Sequence, residues 1–153
     1  ILTASPDGSA KVWDASTGRV RTSLAGSTAT ILSASFSPSG PLAMTASADG
    51  AVRIWDIYSG ELRVTIDGQG QLASAVYNQL GSSIVTATAG GQARVWTAAT
   101  GELVAELVGH TGAIHAACFS PADAAVVTAS EDGSVRVWDA LTGELRGTFV
   151  AGE

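Results

Sequence analysis

Residues 132–145 read DGSVRVWDALTGEL, and three earlier stretches nearly repeat them: DGSAKVWDASTGRV at 7–20, DGAVRIWDIYSGEL at 49–62 and GGQARVWTAATGEL at 90–103. The tryptophans inside them, Trp13, Trp55, Trp96 and Trp138, lie 42, 41 and 42 residues apart. Self-similarity at a fixed period outranks any local reading, because each copy is one supersecondary unit that cannot bury its faces alone. The repeat, not the chain, is the unit to count.

Outward from residues 132–145, the last copy resolves into four short runs rich in β-branched and aromatic residues: AIHAACFSP, AVVTASEDG, SVRVWDALTG and ELRGTFVAG. Each is closed by turn residues, which predicts four antiparallel strands joined by tight turns. Between the second and third runs, Asp132-Gly133 supplies the left-handed backbone that a hairpin needs. Asp7-Gly8, Asp49-Gly50 and Gly90-Gly91 repeat the device. Thr17-Gly18, Ser59-Gly60, Thr100-Gly101 and Thr142-Gly143 mark the turn into the last strand. No interval has room for a helix. Aligned copies divide the chain into repeats at 1–29, 30–71, 72–112 and 113–153. The first has only three strands, since residues 1–5 already correspond to a second strand, and 151–153 match 108–110, just before another first strand. Fifteen strands of a sixteen-strand set are expected. The chain begins without Met and inside a repeat, so it is expected to be excised from something longer.

Composition sets bounds. Of 153 residues, 46% are hydrophobic and 14% charged, a globular balance. Eight Lys+Arg against fourteen Asp+Glu give a net charge of −6 with no basic cluster. That argues against nucleic acid and against an anionic membrane surface as partners. No apolar run approaches the roughly 20 residues of a membrane span, and residues 1–8 lack the blocks of a signal peptide. Cys118 stands alone, which excludes an internal disulfide and gives no sign of an oxidising compartment. It reads as a small apolar residue in a strand. The expected location is intracellular, in the cytoplasm.

A repeat of about 40 to 45 residues whose third strand ends in Trp-Asp resembles the blade of the WD-repeat β-propeller family. The resemblance covers essentially all of the chain. It implies an all-β fold of four-stranded antiparallel blades in an incomplete ring of about fifteen strands. It also implies a hydrogen-bond network in each blade, built from an opening Gly-His, a Ser or Thr, an Asp and the Trp. The last repeat matches in full, with Gly109-His110, Ser130, Asp132 and Trp138. There the indole N–H is expected to donate to the Ser130 hydroxyl, the hydroxyl to one imidazole nitrogen, and the other imidazole N–H to Asp132. Ser5 with Asp7 and Trp13, Ser47 with Asp49 and Trp55, and Thr88 with Trp96 are the equivalent positions. The place of the His falls at Ser27 or near Gly68-Gln69. The third repeat is the most degenerate, with Gly90 for the turn Asp and Thr97 for the Asp after Trp.

Ser, His and Asp converging in space would also be the ingredients of a hydrolase triad. Against that stand the absence of a G-x-S-x-G elbow and the recurrence of the Trp in register with the hydroxyl. No enzymatic activity and no cofactor are expected. Lys11, Arg53, Arg94 and Arg136 each precede a Trp by two residues, which in a strand places them on the Trp face. Packing, not an anion site, is the expected role. His115 has no second ligand at metal spacing.

By the same resemblance, the partner-holding rim contains Pro6, Ala48, Ala89 and Glu131 before the hairpin turns, with Thr30, Gln71 and Ala113 where the first strands begin. Most are small and uncharged, unlike the aromatic and arginine anchors of a strong hot spot. The function expected by family analogy is a non-catalytic scaffold for protein partners within a larger propeller or assembly. The alternatives are a regulatory or sensor segment of a multidomain signalling protein, or an architectural element of a cytoskeletal or ciliary assembly. Open flanks are expected to be completed by further blades of the parent protein or by a second copy packed head to tail.

Overall fold

The computed structural model describes residues 1–26, 29–67 and 70–150. It is all-β, with fifteen strands and no helix among the described residues, arranged as separate antiparallel sheets, none of them closed. Ser27, Gly68, Gln69 and residues 151–153, where the sequence places counterparts of the Gly-His phrase, lie outside the described residues.

The chain divides into two compact units, Ile1–Gly68 and Gln69–Glu153. In the first, β1 (Leu2–Ala4), β2 (Ala10–Trp13) and β3 (Val20–Leu24) form a three-stranded sheet in the order β1-β2-β3. A four-stranded sheet follows, in the order β4 (Ile31–Phe36), β5 (Leu42–Ser47), β6 (Val52–Asp56) and β7 (Leu62–Ile66). The second unit holds two four-stranded sheets. One is β8 (Leu72–Tyr77), β9 (Ser83–Thr88), β10 (Ala93–Thr97) and β11 (Leu103–Leu107); the other is β12 (Ile114–Phe119), β13 (Ala125–Ser130), β14 (Ser134–Asp139) and β15 (Leu145–Val150).

Every sheet is a simple meander because the turns leave no other choice. At the β13–β14 hairpin, Gly133 has φ +80°, a conformation that a side chain disfavours, and its N–H bonds the Ser130 carbonyl. Each complete first strand then carries an irregularity in its pairing, between Ile31 and Ser33, Leu72 and Ser74, and Ile114 and Ala116. Such a bulge re-aims the strand and turns its opening aliphatic residue inward. Ile31, Leu72 and Ile114 are all buried.

Packing within each unit is sheet against sheet. In the second unit Val85, Ala87, Ala93, Val95, Ala105 and Leu107 on β9–β11 meet Ile114, Ala117, Val126 and Trp138 of the last sheet. In the first unit Ala10, Val12 and Leu24 meet Ile31, Ala43 and Trp55. The same rule operates twice: an aliphatic face of one sheet is covered by the tryptophan face of the next. Small alanines at the crossing points let the layers approach, and each fully buried aliphatic side chain contributes on the order of 1.5–3 kcal/mol.

One buried group does not fit its surroundings. The Tyr77 hydroxyl has no hydrogen-bond partner among the described residues, and burial pushes its pKa up to about 12. Phe36 and Phe119 occupy the corresponding ends of β4 and β12. Tyr77→Phe is therefore expected to leave the fold intact and raise its stability by about 1 kcal/mol. Chemical denaturation of the two proteins is the measurement, and a loss of stability would mean that the hydroxyl has a partner.

Candidate functional site

The last sheet holds a line of hydrogen bonds that runs from its core to its edge. The Trp138 indole N–H donates to Thr128 Oγ1 at 2.8 Å, and that oxygen lies 2.7 Å from His110 Nε2. His110 Nδ1 lies 2.8 Å from Asp132 Oδ2. A neutral ring with its proton on Nδ1 lets indole, hydroxyl, imidazole and carboxylate follow one another with each donor facing an acceptor. The hydroxyl in the line belongs to Thr128, not to Ser130 as expected from the sequence. Register explains the difference: Trp138 pairs with Val126, so Thr128 is its diagonal neighbour on the same face and Ser130 lies two residues further off. Ser130 instead holds the turn, accepting the Asp132 N–H at 3.2 Å and donating to the Gly112 carbonyl at 3.1 Å.

Gly109 makes the line possible. Its φ is +154°, and a side chain there would collide with the Arg136 guanidinium and crowd the Trp138 ring. A bare backbone can cross the tryptophan edge and deliver His110 beside β13 and β14. Gly26 lies against Trp55 in the same conformation. The His110 side chain is 0% exposed and that of Asp132 8%.

The other copies keep the core of this arrangement. Trp13 donates to Thr3 at 2.8 Å, Trp55 to Thr45 at 2.9 Å and Trp96 to Thr86 at 2.8 Å. The threonine ten residues before each tryptophan is plain in the sequence and is the signal that marks the partner, rather than the hydroxyls at residues 5, 47, 88 and 130. Those residues serve their hairpins: Ser5 accepts the Asp7 N–H, and Thr88 accepts the Gln92 N–H. Asp7 and Asp49 bind the backbone N–H two residues on, at 2.9 and 3.0 Å.

The aspartate after the tryptophan has a separate task. Asp14, Asp56 and Asp139 each accept two backbone N–H groups of the following turn through Oδ1, at 2.9–3.0 Å. These bonds hold all three carboxyls down at about 2. The Ser16 hydroxyl leads at Asp14, the Ser59 N–H at Asp56 and the Thr142 N–H at Asp139. Asp132 is held well below the ordinary carboxylate range by the Ser134 hydroxyl first and His110 second. In the third copy Thr97 has no carboxylate to offer, and the turn closes through backbone bonds and a Thr100–Glu102 contact.

The four cations do not converge on a shared site. Arg53 binds Asp49 at 2.8 Å, Arg94 binds Glu106 at 2.9 Å, and Arg136 lies 5.9 Å from the Trp138 ring centre while bonding Ser134. Lys11 sits half-buried on β2. His115 meets Glu131 at 3.2 Å with both side chains exposed, Cys118 lies on β12 and is exposed, and no group of metal-holding side chains exists among the described residues.

The rim residues come together in pairs. Ala48 N–H bonds the Thr30 carbonyl at 2.8 Å, Ala89 N–H that of Gln71 at 3.0 Å, and Glu131 N–H that of Ala113 at 2.9 Å. Pro6 has no N–H to give, and its carbonyl accepts the Thr30 hydroxyl instead.

Repeated sheets, Trp-Thr bonds and capped Trp-Asp turns agree with what family comparison finds. The WD domain, G-beta repeat (WD40) model matches residues 18–56 and 101–139, together just over half of the chain. The chain belongs to the WD40 family. A crystal structure of the computationally designed Ika8 protein is similar, 33% identical with a TM-score of 0.86 over 97% of this chain and 45% of that one. The chain thus spans under half the length of that structure. No curated protein matches it. WD40 repeats are typically non-catalytic and generally serve as scaffolds for protein–protein interaction. No helix among the described residues is long and apolar enough to cross a membrane.

Thr128, His110 and Asp132 bring a hydroxyl, an imidazole and a carboxylate into hydrolase order, but the hydroxyl cannot act. Thr128 is 0% exposed and its oxygen already accepts the Trp138 N–H. Thr128→Val strands both the indole N–H and the imidazole nitrogen, and is expected to cost about 2–4 kcal/mol. Ser130→Ala, which removes the bonds to the Asp132 N–H and the Gly112 carbonyl but leaves the Trp138–Thr128–His110 line intact, is expected to cost less, about 1 kcal/mol, in the same thermal or urea melts.

The depressed carboxyls set a pH dependence. Their protons bind more tightly to the unfolded chain, so the stability they contribute is complete above about pH 4 and is lost as pH falls towards about 2. The urea midpoint is expected to drop between about pH 4 and about pH 2, and Asp56→Asn to make that drop shallower. A flat profile would contradict the turn-capping role.

Proposed function

We propose that this chain is a non-catalytic scaffold for protein partners, forming four blades (1–29, 30–71, 72–112 and 113–153) within a larger WD-repeat propeller or assembly. The observation that carries the reading is the pairing of rim residues by backbone hydrogen bonds, Thr30 with Ala48, Gln71 with Ala89 and Ala113 with Glu131. A rim braced in this way presents a pre-formed surface, so a partner that docks on it orders little backbone. In this reading His110, Thr128, Asp132 and Trp138 support the rim from behind rather than react. The net charge of −6 favours protein over nucleic acid or an anionic membrane, and the reading needs no cofactor.

An architectural role is the second reading, favoured by how small and uncharged Pro6, Ala48, Ala89 and Ala113 are. Glu131→Arg with Gln71→Arg separates the two. Under the scaffold reading these rim changes abolish recovery of a partner by affinity capture and leave the melt unchanged. Leu145→Arg on the far strand, which is also exposed, keeps the partner. Equal recovery with both variants would overturn the scaffold reading.

A further inference from the structure

The turn leading into the second strand follows one plan in the three four-stranded sheets. It reads Ser37-Pro38-Ser39-Gly40 before β5, Asn78-Gln79-Leu80-Gly81 before β9 and Ser120-Pro121-Ala122-Asp123 before β13. The fourth residue takes a left-handed backbone in each, with φ +82° at Gly40, +69° at Gly81 and +57° at Asp123. Glycine adopts that conformation readily, whereas another residue persists there only where its surroundings compensate. Asp123 is the one non-glycine residue with positive φ among the described residues.

The compensation comes from the neighbouring sheet of the same unit. One Asp123 carboxylate oxygen accepts the Gln79 N–H at 2.9 Å and the other accepts the Leu80 N–H at 3.2 Å. Both sides of this contact depart from the shared plan. Where Gln79 supplies a donor, the other two turns have Pro38 and Pro121, which have none. The counterpart of the Leu80 N–H is that of Ser39, which stays inside its own turn by donating to Ser37 Oγ at 3.2 Å. In place of Ser37 stands Asn78, whose side chain is taken up by Ser82 and Ser83. Where Asp123 supplies acceptors, Gly40 and Gly81 have no side chain. Two departures in two copies therefore meet at one contact. It lies at the end of the sheets away from the rim, since β13 leads from this turn to the hairpin at Asp132.

We propose that Asp123 is an inter-sheet latch selective for the Gln79–Leu80 turn, holding β12–β15 against β8–β11 and against no prolyl copy of that turn. Repeated sheets share one packing rule, so their cores discriminate little between neighbours, and misassembly is a characteristic failure of such chains. A two-pronged bond that only one turn can satisfy adds discrimination at the periphery without altering the core. A prolyl turn would present the same carboxylate with one donor fewer. The latch concerns which sheets pack together and is independent of what docks on the rim.

Hydrogen exchange and a double-mutant cycle test it. Asp123→Gly suits the backbone but removes the acceptors, and Gln79→Pro copies the other two turns and removes a donor. In Asp123→Gly, amide exchange followed by NMR is expected to speed up about tenfold at Gln79 and Leu80. Gly81, whose N–H bonds the Asn78 carbonyl within the turn, should keep its rate. In urea, Asp123→Gly should raise the unfolding constant about fivefold in the wild-type background and by a clearly smaller factor beside Gln79→Pro. A backbone role alone would make Asp123→Gly more stable than wild type. That result, unchanged exchange at Gln79 and Leu80, or equal factors in both backgrounds would each overturn the proposal. Should circular dichroism show Asp123→Gly to be unfolded, Asp123→Asn takes its place. With one acceptor oxygen it is expected to hold one of the two amides and free the other, and two amides as slow as in wild type would equally overturn the latch.

Discussion

An indole that leaves water must find an acceptor for its single N–H, and in this chain the acceptor is always a threonine hydroxyl on the neighbouring strand. Trp13, Trp55, Trp96 and Trp138 all make this bond, at 2.8–2.9 Å. Because the two residues are diagonal neighbours, the bond fixes strand register as well as satisfying a donor. A slip of one residue would turn the tryptophan to the wrong face and strand the hydroxyl with it. The aliphatic face of the preceding sheet can be covered only when that register holds, so the packing of each unit depends on the bond.

Around the Trp-Thr bond the parts of the phrase divide the labour. The aspartate after tryptophan caps the turn into the last strand, the Asp-Gly hairpin sets the turn before the third, and the glycine ahead of His110 lets a loop cross the ring edge. The sheet β8–β11 shows which parts are dispensable. It lacks the turn aspartate at Gly90 and the capping aspartate at Thr97, yet keeps the Trp96–Thr86 bond and a buried core. Backbone bonds to the Thr88 and Thr97 carbonyls close its turns, as the matching bonds do in the other sheets, so the backbone geometry does not require the aspartates. Loss at the periphery is tolerated where the central bond remains.

The sequence makes the repeat, the turns and the strand count legible, since spacing and Gly positions act locally. It was less informative about which hydroxyl meets the indole. Ser130 fits the family phrase, but choosing between two hydroxyls on one face needs the cross-strand register, which pairs Val126 with Trp138. Recurrence of Thr3, Thr45, Thr86 and Thr128 at the tryptophan period contained the answer. What no spacing could reveal is the crossing of Gly109 over Trp138, a contact between a loop and a strand distant in sequence. The Asp123 carboxylate that accepts the Gln79 and Leu80 N–H groups from a neighbouring sheet's turn is of the same kind.

A site built from such parts is suited to holding shape rather than to chemistry. The Thr128 hydroxyl is enclosed and already accepts the Trp138 N–H, so its place in the line is structural. His115 and Glu131 lie outside that line, meeting at 3.2 Å with both side chains in solvent. Burial of the His110 line makes each member dependent on the others, and Thr111 is tied to it, since its N–H bonds the same Asp132 carboxylate. Rigid backbone with interchangeable small side chains is what lets one repeat present different surfaces without refolding. In the proposed scaffold role, specificity falls to the rim positions that depart from the small and neutral pattern, and of those named Glu131 alone is charged.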